Sequence, residues 1–508
     1  MGGFFCGFLE RSDKMFPKID ELKRIAASYN FVPVAMKVPL TKNEEEQLLL
    51  SLAHDEDTVY FSGGNHALGN YSYFVIEPTR RITVLDGVLT DSDNQGNKII
   101  EEVNPHDYLE EILKKYKQPV VPGLPPFTGG LIGYFSYEYT KYYQKHISFQ
   151  HANPDNIQDI GLFCCNKLVA YDHDKNEMSL IVSISVKDLE VNYEQAKEEL
   201  EKFRASVFAR IRQTYEIPQL RLMSDFRMHF NEVEYANKVQ SAKKQIAAGD
   251  IFQLIMSNPQ EINLTGDLLP LLERLMIDEP HAYHFYFKQG RFAAVAASPE
   301  TLITRQGKEL ASYPLAGTRK LTTDNVKNQK NCAELLDSAK ELAEHNMLVD
   351  LGRNDLGQIS KFGTIQVTKH AFLEKFATVV HLASVIKSQA LPEKSALDIL
   401  DAVFPAGTLS GAPKVRAIQI INELEHFKRG IYGGSFGYLS FSGEIDQAIG
   451  IRLLHRNGQK GILHTGAGIV ADSIAKNEYQ ECLNKARSVR NALTQASTRG
   501  EIDGITNR

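Results

Sequence analysis

The sequence contains no tryptophan among its 508 residues, although it carries 21 Tyr and 26 Phe. That absence excludes no functional class; it does leave the chain without indole emission. Cysteine is scarce: Cys6, Cys164, Cys165, Cys332 and Cys482 stand without any Cys-x-x-Cys pair. Such an odd, unspaced set argues against a disulfide framework or a zinc site and fits reduced thiols in a cytoplasmic protein. An excess of positive charge is also missing. Lys and Arg number 57 against 63 Asp and Glu, a net charge of −6, which argues against a nucleic-acid binder. No uncharged apolar run reaches bilayer-spanning length, so no membrane span is expected. The start Met1-Gly2-Gly3-Phe4-Phe5-Cys6 lacks the basic stretch of a signal peptide and the Ser or Thr of a myristoylation signal. Ordinary Gly and Pro content excludes collagen-like and disordered chains.

What is present is enough chain for a sizeable core, either roughly two or three domains or one large two-part enzyme. Short β-like runs at Thr58–Phe61, Tyr73–Ile76 and Ile82–Leu85 precede a helix at His106–Tyr116. The Pro-rich stretch 118–126 is a loop. Apolar runs 161–171 and 178–186 read as a hairpin, and 187–214 as a long charged helix. From Asn231 onward the texture changes: a helix at 232–248, strands at 251–257, 283–287, 292–296 and 301–304, and helices at 333–348, 395–403, 414–426 and 477–494. Strands in runs followed by helices in runs predict an α+β layer architecture with much antiparallel sheet. The expected segments are 1–225, 226–495 and a polar tail 496–508. Gly129-Gly130-Leu131-Ile132-Gly133-Tyr134 echoes Gly433-Gly434-Ser435-Phe436-Gly437-Tyr438; two copies indicate shared strand chemistry, not a repeat architecture.

Several motifs bear on chemistry. Gly466-Ala467-Gly468-Ile469-Val470-Ala471 matches the dinucleotide fingerprint G-x-G-x-x-A, but too little chain follows to complete a βαβ unit. Glycines there instead suit backbone that approaches a ligand closely. Gly407 to Lys414 lacks the ending of a phosphate loop; it fits a turn feeding a helix N-terminus, either holding a carboxylate or simply capped. Glu341/Glu344 and Glu478/Glu481 each place two carboxylates at i, i+3 on one helix face, with His345 and Lys485 as basic company. Surface helices often carry such pairs. If both helices face one cavity, the four carboxylates need a hard divalent cation, and an all-oxygen set selects Mg²⁺. Glu423-x-x-His426 is a lone copy and builds no di-iron site. Ser298-Pro299-Glu300, Ala316 to Arg319, Asp350 to Asp355 and Arg452 form compact polar clusters, several with Arg suited to a small polyanion. His381, in the β-like run Thr378–Ile386, taken alone reads as a satisfied core histidine.

Together these segments resemble the chorismate-utilising enzymes, in particular the anthranilate synthase component I branch, from about Tyr235 to Arg487. Carrying segments are Gly249 to Gln253, Ser298-Pro299-Glu300, Pro314 to Arg319, Glu341 to His345, Val349 to Leu356, Phe404 to Lys414, Tyr432-Gly433-Gly434, Thr465 to Ala471 and Glu478 to Lys485. The first third matches mainly through Gly129 to Tyr134. The resemblance implies a two-layer α/β sandwich with large antiparallel sheets and an active-site cleft between the layers, 226–495 being the chorismate-binding catalytic part. It implies Mg²⁺ on Glu344 and Glu481, supported by Glu341 and Glu478, clamping the ring carboxylate of chorismate. It places Tyr432, Arg452, Lys485, Thr408 and the backbone of Gly466, Ala467 and Gly468 against substrate. Glu300 becomes the general acid for the departing C4 hydroxyl, with His381 assisting pyruvate elimination and Thr318 and Gln253 beside the reaction.

Two positions separate branches of the family. Isochorismate- and salicylate-forming relatives carry a water-activating Lys where this chain has Gln253, and aminodeoxychorismate synthases usually carry Lys in place of Ala316. Gln is no base and Ala no nucleophile, so the resemblance implies direct ammonia attack at C2 and release of anthranilate, the first step of tryptophan biosynthesis. The chain has no Gly-Cys-x-Gly elbow, so glutamine-derived ammonia implies a separate glutamine amidotransferase subunit (component II), in a heterodimer or heterotetramer. Alternatives are a 2-amino-2-deoxyisochorismate synthase, an aminodeoxychorismate synthase or a catalytically silent scaffold subunit. The segments of the family's tryptophan feedback site are replaced, by Tyr60-Phe61-Ser62-Gly63-Gly64 and by Asp278-Glu279-Pro280-His281-Ala282-Tyr283. The missing tryptophan gains a reading here: a chain that opens tryptophan synthesis and contains none is still translated when tryptophan is scarce.

Overall fold

The computed structural model describes residues 15–63, 68–93, 96–100, 103–149, 151–376 and 379–499. The N-terminal apolar patch with Cys6, the tail beyond residue 499, and Gly64 and Thr378 lie outside the described residues. The fold is α+β, built on two large sheets of fifteen and twelve strands whose neighbours are antiparallel except for Arg221–Leu222 beside Thr498–Arg499. The sheets pack face to face through an aromatic core that includes Phe61, Tyr73, Phe127, Tyr134, Phe285, Phe287, Phe436 and Tyr438. Offset ring pairs such as Phe127–Tyr438 and Phe285–Phe436, with centroids 4.6 and 4.7 Å apart, fill the interlayer space. Helices cover the outer faces. Leu189–Arg212, Leu269–Asp278 and Ala475–Ala496 back the larger sheet; Pro105–Lys115, Ala339–Gly357 and Ala396–Val403 back the smaller. No helix among the described residues is long and apolar enough to cross a membrane.

Each sheet draws strands from both sides of residue 225. Asp57–Ser62 pairs with Tyr283–Gln289 in the larger sheet, and Gly130–Phe135 with Ser435–Ser440 in the smaller. The two echoing glycine-rich strands are thus neighbours, with Gly133 opposite Gly437. Both glycines have φ near +145°, and a Cβ on either would stand about 2 Å from a carbonyl oxygen of the next strand. Glycine is required there by sterics alone.

The structure departs from the sequence reading at three places. The apolar run 161–171 is two strands: Ile160–Cys165 belongs to the smaller sheet and Lys167–Asp172 to the larger, the chain changing layers at Asn166. Ile160–Cys165 is buried throughout and the second strand from Leu168 on. Only exposed Asn166 and half-buried Lys167 mark the crossing, and two polar residues do not by themselves separate a layer change from one continuous strand. The single helix expected at 333–348 is broken at Ser338, where Asn325–Asp337 ends and Ala339–Gly357 begins; the Ser338 hydroxyl caps the second helix by accepting the Glu341 amide at 3.4 Å. The strand expected at 251–257 extends over Gln253–Thr265 and pairs with Lys460–Ile469 along ten positions.

Candidate active site

The cleft forms where the chain crosses between sheets. Ser298-Pro299-Glu300 joins Phe292–Ser298 of the larger sheet to Thr301–Gln306 of the smaller. Pro299 has no N–H for a ladder, and the Ser298 hydroxyl accepts the Glu300 amide at 3.4 Å. The Ile449 amide donates to the Glu300 carbonyl at 2.9 Å, so the backbone is pinned and the buried side chain is aimed. Thr408 Oγ1 donates to Glu300 Oε1 at 3.0 Å. Burial pushes the Glu300 carboxyl up to about 7, against the weaker pulls of Thr408 and the Lys485 ammonium. An acid that keeps its proton near neutrality suits proton donation. Glu300 and Thr408 line a cavity of about 50 Å³ with Ser312, Gly352 and Asp355.

The Thr408 bond favours the ionised carboxyl, so Thr408→Val raises the Glu300 pKa further. Any activity that needs the Glu300 proton is expected to persist to higher pH in this variant. A kcat/KM profile whose basic limb stays at its native position would remove Thr408 from this role.

His381 lies on strand Val379–Gln389 opposite Thr318. Its Nδ1 stands 2.9 Å from the Gly317 carbonyl and 3.1 Å from Thr318 Oγ1. A carbonyl accepts only, so Nδ1 carries the proton and Nε2 keeps a free lone pair. Burial pulls its pKa down to about 4, helped by the fields of Arg452 and Lys485. The satisfied-histidine reading therefore holds at Nδ1, and Nε2 is left available for chemistry.

The Gly466-Ala467-Gly468 run sits in strand Lys460–Ile469. A Cβ on Gly466 would stand 2.7 Å from Tyr432 Oη, and one on Gly468 3.2 Å from Gln253 Nε2. These glycines make room for two other site residues. Ala467 turns its methyl into the apolar core on the opposite face with Leu254 and Met256, so, like the two glycines, it offers a ligand only backbone. Gln253 is buried, and its Oε1 accepts no hydrogen bond among the described residues. Arg452 adopts φ +50°, a left-handed conformation that costs a non-glycine residue free energy, and its guanidinium reaches the Lys485 carbonyl at 2.6 Å and Ser488 Oγ at 3.2 Å.

The two acidic helices do converge. Glu344 is pushed up by burial and then by the negative charges of Glu341 and Glu481, and Glu478 by burial and then Glu481. Arg319 pairs with Glu341 at 3.0 Å and Lys485 with Glu481 at 2.8 Å. Lys485 Nζ also donates to the Gly466 carbonyl at 3.0 Å. Glu344 forms no ion pair among the described residues. Three His, Cys, Asp or Glu side chains close enough to hold a metal ion by themselves are not found among them. The donors present are all carboxylate oxygens that repel one another, a set that fits a hard cation such as Mg²⁺ and not a soft one.

Two expectations are corrected. His345 is no partner for the acids: it is fully buried, its Nε2 2.6 Å from Ser384 Oγ. Arg353 pairs with Asp350 on the exposed surface and contributes nothing to a polyanion site. The Gly407 turn leads into helix Lys414–Glu425, and Lys414 bonds Asp355 at 2.9 Å and the Val403 carbonyl at 3.0 Å. One group the sequence reading passed over is Glu425–Arg429 with Glu138, packed behind Tyr432. Its signal was an acid and an arginine at i, i+4 just before Gly430, one such pair in a stretch crowded with other charges.

The sequence model of the chorismate binding enzyme family matches residues 66–491. An anthranilate synthase component 1 from Acetivibrio thermocellus is 33% identical, the match covering 96% of this chain and 99% of that one. Its counterpart from Neisseria gonorrhoeae is 36% identical, covering 94% and 97%. The crystal structure of anthranilate synthase component I from Streptococcus pneumoniae superposes with a TM-score of 0.73 at 34% identity, over 82% of this chain and 92% of that one.

Proposed function

The chain belongs to the chorismate-binding enzyme family, and from that premise we propose that it is the large subunit of an anthranilate synthase, converting chorismate and ammonia to anthranilate, pyruvate and water. The observation that carries this reading is Gln253. Its buried Oε1 lacks a donor among the described residues, and it occupies the place of the water-activating Lys in isochorismate-forming relatives. An amide oxygen there accepts a hydrogen bond from ammonia and cannot deprotonate water. Ala316 supplies no amine nucleophile in competition.

Ammonia bonds to C2 as the C4 hydroxyl leaves, and Glu300 donates the proton that makes water the leaving group. The free Nε2 of His381 faces the second step, in which the C2 proton departs and pyruvate is expelled. Tyr432, Arg452 and Lys485 hold the carboxylates of the substrate, and Thr318 orients the His381 ring. Glu344 and Glu481, supported by Glu341 and Glu478, would hold Mg²⁺, which when bound supplies a clamp and Lewis acid for the ring carboxylate. The sequence holds no Gly-Cys-x-Gly elbow, so with glutamine as the donor its hydrolysis falls to a partner glutaminase subunit.

The test is incubation with chorismate, Mg²⁺ and an ammonium salt. Blue anthranilate fluorescence with stoichiometric pyruvate is expected; glutamine in place of ammonium gives neither without the partner. Amination without pyruvate would make it an aminodeoxyisochorismate or aminodeoxychorismate synthase, and no turnover a silent subunit. With no Trp in the sequence, the protein adds no indole emission to the assay.

A further inference from the structure

Arg429 is 1% exposed, the side chain of greatest volume among the fully buried ones of the described residues. Its Nε and Nη2 donate to the two oxygens of Glu425 at 2.7 and 2.6 Å. Nη1 donates to the Leu409 carbonyl and Nη2 to the Ile255 carbonyl, both at 2.7 Å. Leu409 follows Thr408, and Ile255 lies two residues beyond Gln253. The guanidinium also stands 4.5 Å from the Tyr137 ring centroid and 5.7 Å from that of Tyr432.

The arginine is itself anchored. Glu138 accepts the Arg429 and Gly430 amides at 2.7 and 3.1 Å, and Glu425 Oε1 accepts the Ser257 amide at 2.7 Å. Gly433, at φ +74°, leaves the space the cluster occupies: a Cβ there would stand 3.1 Å from the Tyr137 ring and 3.6 Å from Nη1.

We propose that Arg429 is a positioning residue, locking the Thr408 turn, the Gln253 strand and Tyr432 into one frame around the substrate. A buried ion pair alone is weak support for stability. Glu425 already balances the charge; the remaining donors are spent on backbone carbonyls of the two segments that carry Thr408 and Gln253, and the planar face on Tyr432. Lysine keeps the charge but lacks the fork that reaches these acceptors together. The inference rests on the catalytic reading above.

The test uses ammonium-dependent anthranilate formation by the full chain. Arg429→Lys is expected to fold and to lose on the order of tenfold to a hundredfold in kcat/KM, chiefly through a higher KM for chorismate. The basic limb of its pH profile should move in the direction produced by Thr408→Val, because the bond from Thr408 to Glu300 loosens. The double variant should cost less than the two singles combined. A folded Arg429→Lys enzyme with native KM and native limb overturns the proposal, as does strict additivity with Thr408→Val. If Arg429→Lys fails to fold, Glu425→Gln takes its place with the same expectations, and loss of fold in both overturns it in favour of a structural ion pair. Absence of turnover by the native chain is seen before any variant is compared; it overturns the catalytic reading and this inference with it.

Discussion

Glu300→Gln is expected to lower kcat for anthranilate formation by about 10²–10⁴-fold, the usual contribution of a positioned proton donor, with little change in chorismate KM. The amide keeps the size of the side chain and an oxygen for Thr408 Oγ1, so the loss is that of a proton and not of a shape. The native enzyme should show the same chemistry as a pH limb. Glu300 holds its proton up to about 7, so kcat/KM falls as pH rises through that value, and the variant has no such limb. Stability supplies a second readout with a fixed sign. The carboxyl is raised from 4.5 to about 7 by burial, so between these values the unfolded chain has released a proton that the folded chain retains. Folding stability therefore declines as pH rises across that window, and Gln removes this dependence. Thermal midpoints followed from pH 4.5 to 8 should decline less for the variant than for the native protein. A kcat within a few-fold of native would assign the departing hydroxyl's proton to another donor.

Much of the site is legible along the chain because its chemistry is carried by spacing. Two Glu at i, i+3 on each of two helices predict two acidic faces, and these faces come together. What spacing omits is the rotation of a side chain toward a partner distant in sequence. His345 follows Glu344 directly, yet Ser384, on a strand of the smaller sheet, draws it into the core. Arg429 went unseen for the same reason: its acceptors include the backbone carbonyls of Ile255 and Leu409, and a carbonyl has no letter in the sequence. The glycines of 466 and 468 read as backbone open to a ligand, and they also clear space for Tyr432 and Gln253. A missing Cβ marks a close approach without naming what approaches. The α+β class followed from the order of strands and helices. The layer change at Asn166 did not, since strands buried on both faces look the same in either sheet.

Glu344→Gln and Glu481→Gln are each expected to abolish Mg²⁺-dependent turnover while leaving the fold intact, and chelation of divalent cations should silence the native enzyme to the same extent. The four acids are not equivalent. Glu341 is committed to Arg319 and Glu478 takes a hydrogen bond from Ser473, whereas Glu344 is half-buried beside two like charges without an ion pair among the described residues. Burial first and repulsion second raise that carboxyl, and a hard dication among these oxygens would relieve the repulsion. Glu341→Gln and Glu478→Gln should therefore weaken apparent Mg²⁺ affinity by about 10–100-fold, the usual cost of losing an outer support, with activity recovered at high Mg²⁺. Calorimetric titration of Mg²⁺ into each variant separates the two classes independently of turnover. Glu481→Gln has one further consequence. It frees the Lys485 ammonium from its 2.8 Å partner, and Lys485 lowers the pKa of Glu300. In that variant the pH window over which Glu300 lowers folding stability should thus end at lower pH than in the native protein. Unchanged Mg²⁺ dependence in both Glu344→Gln and Glu481→Gln would remove the metal from this pair of helices.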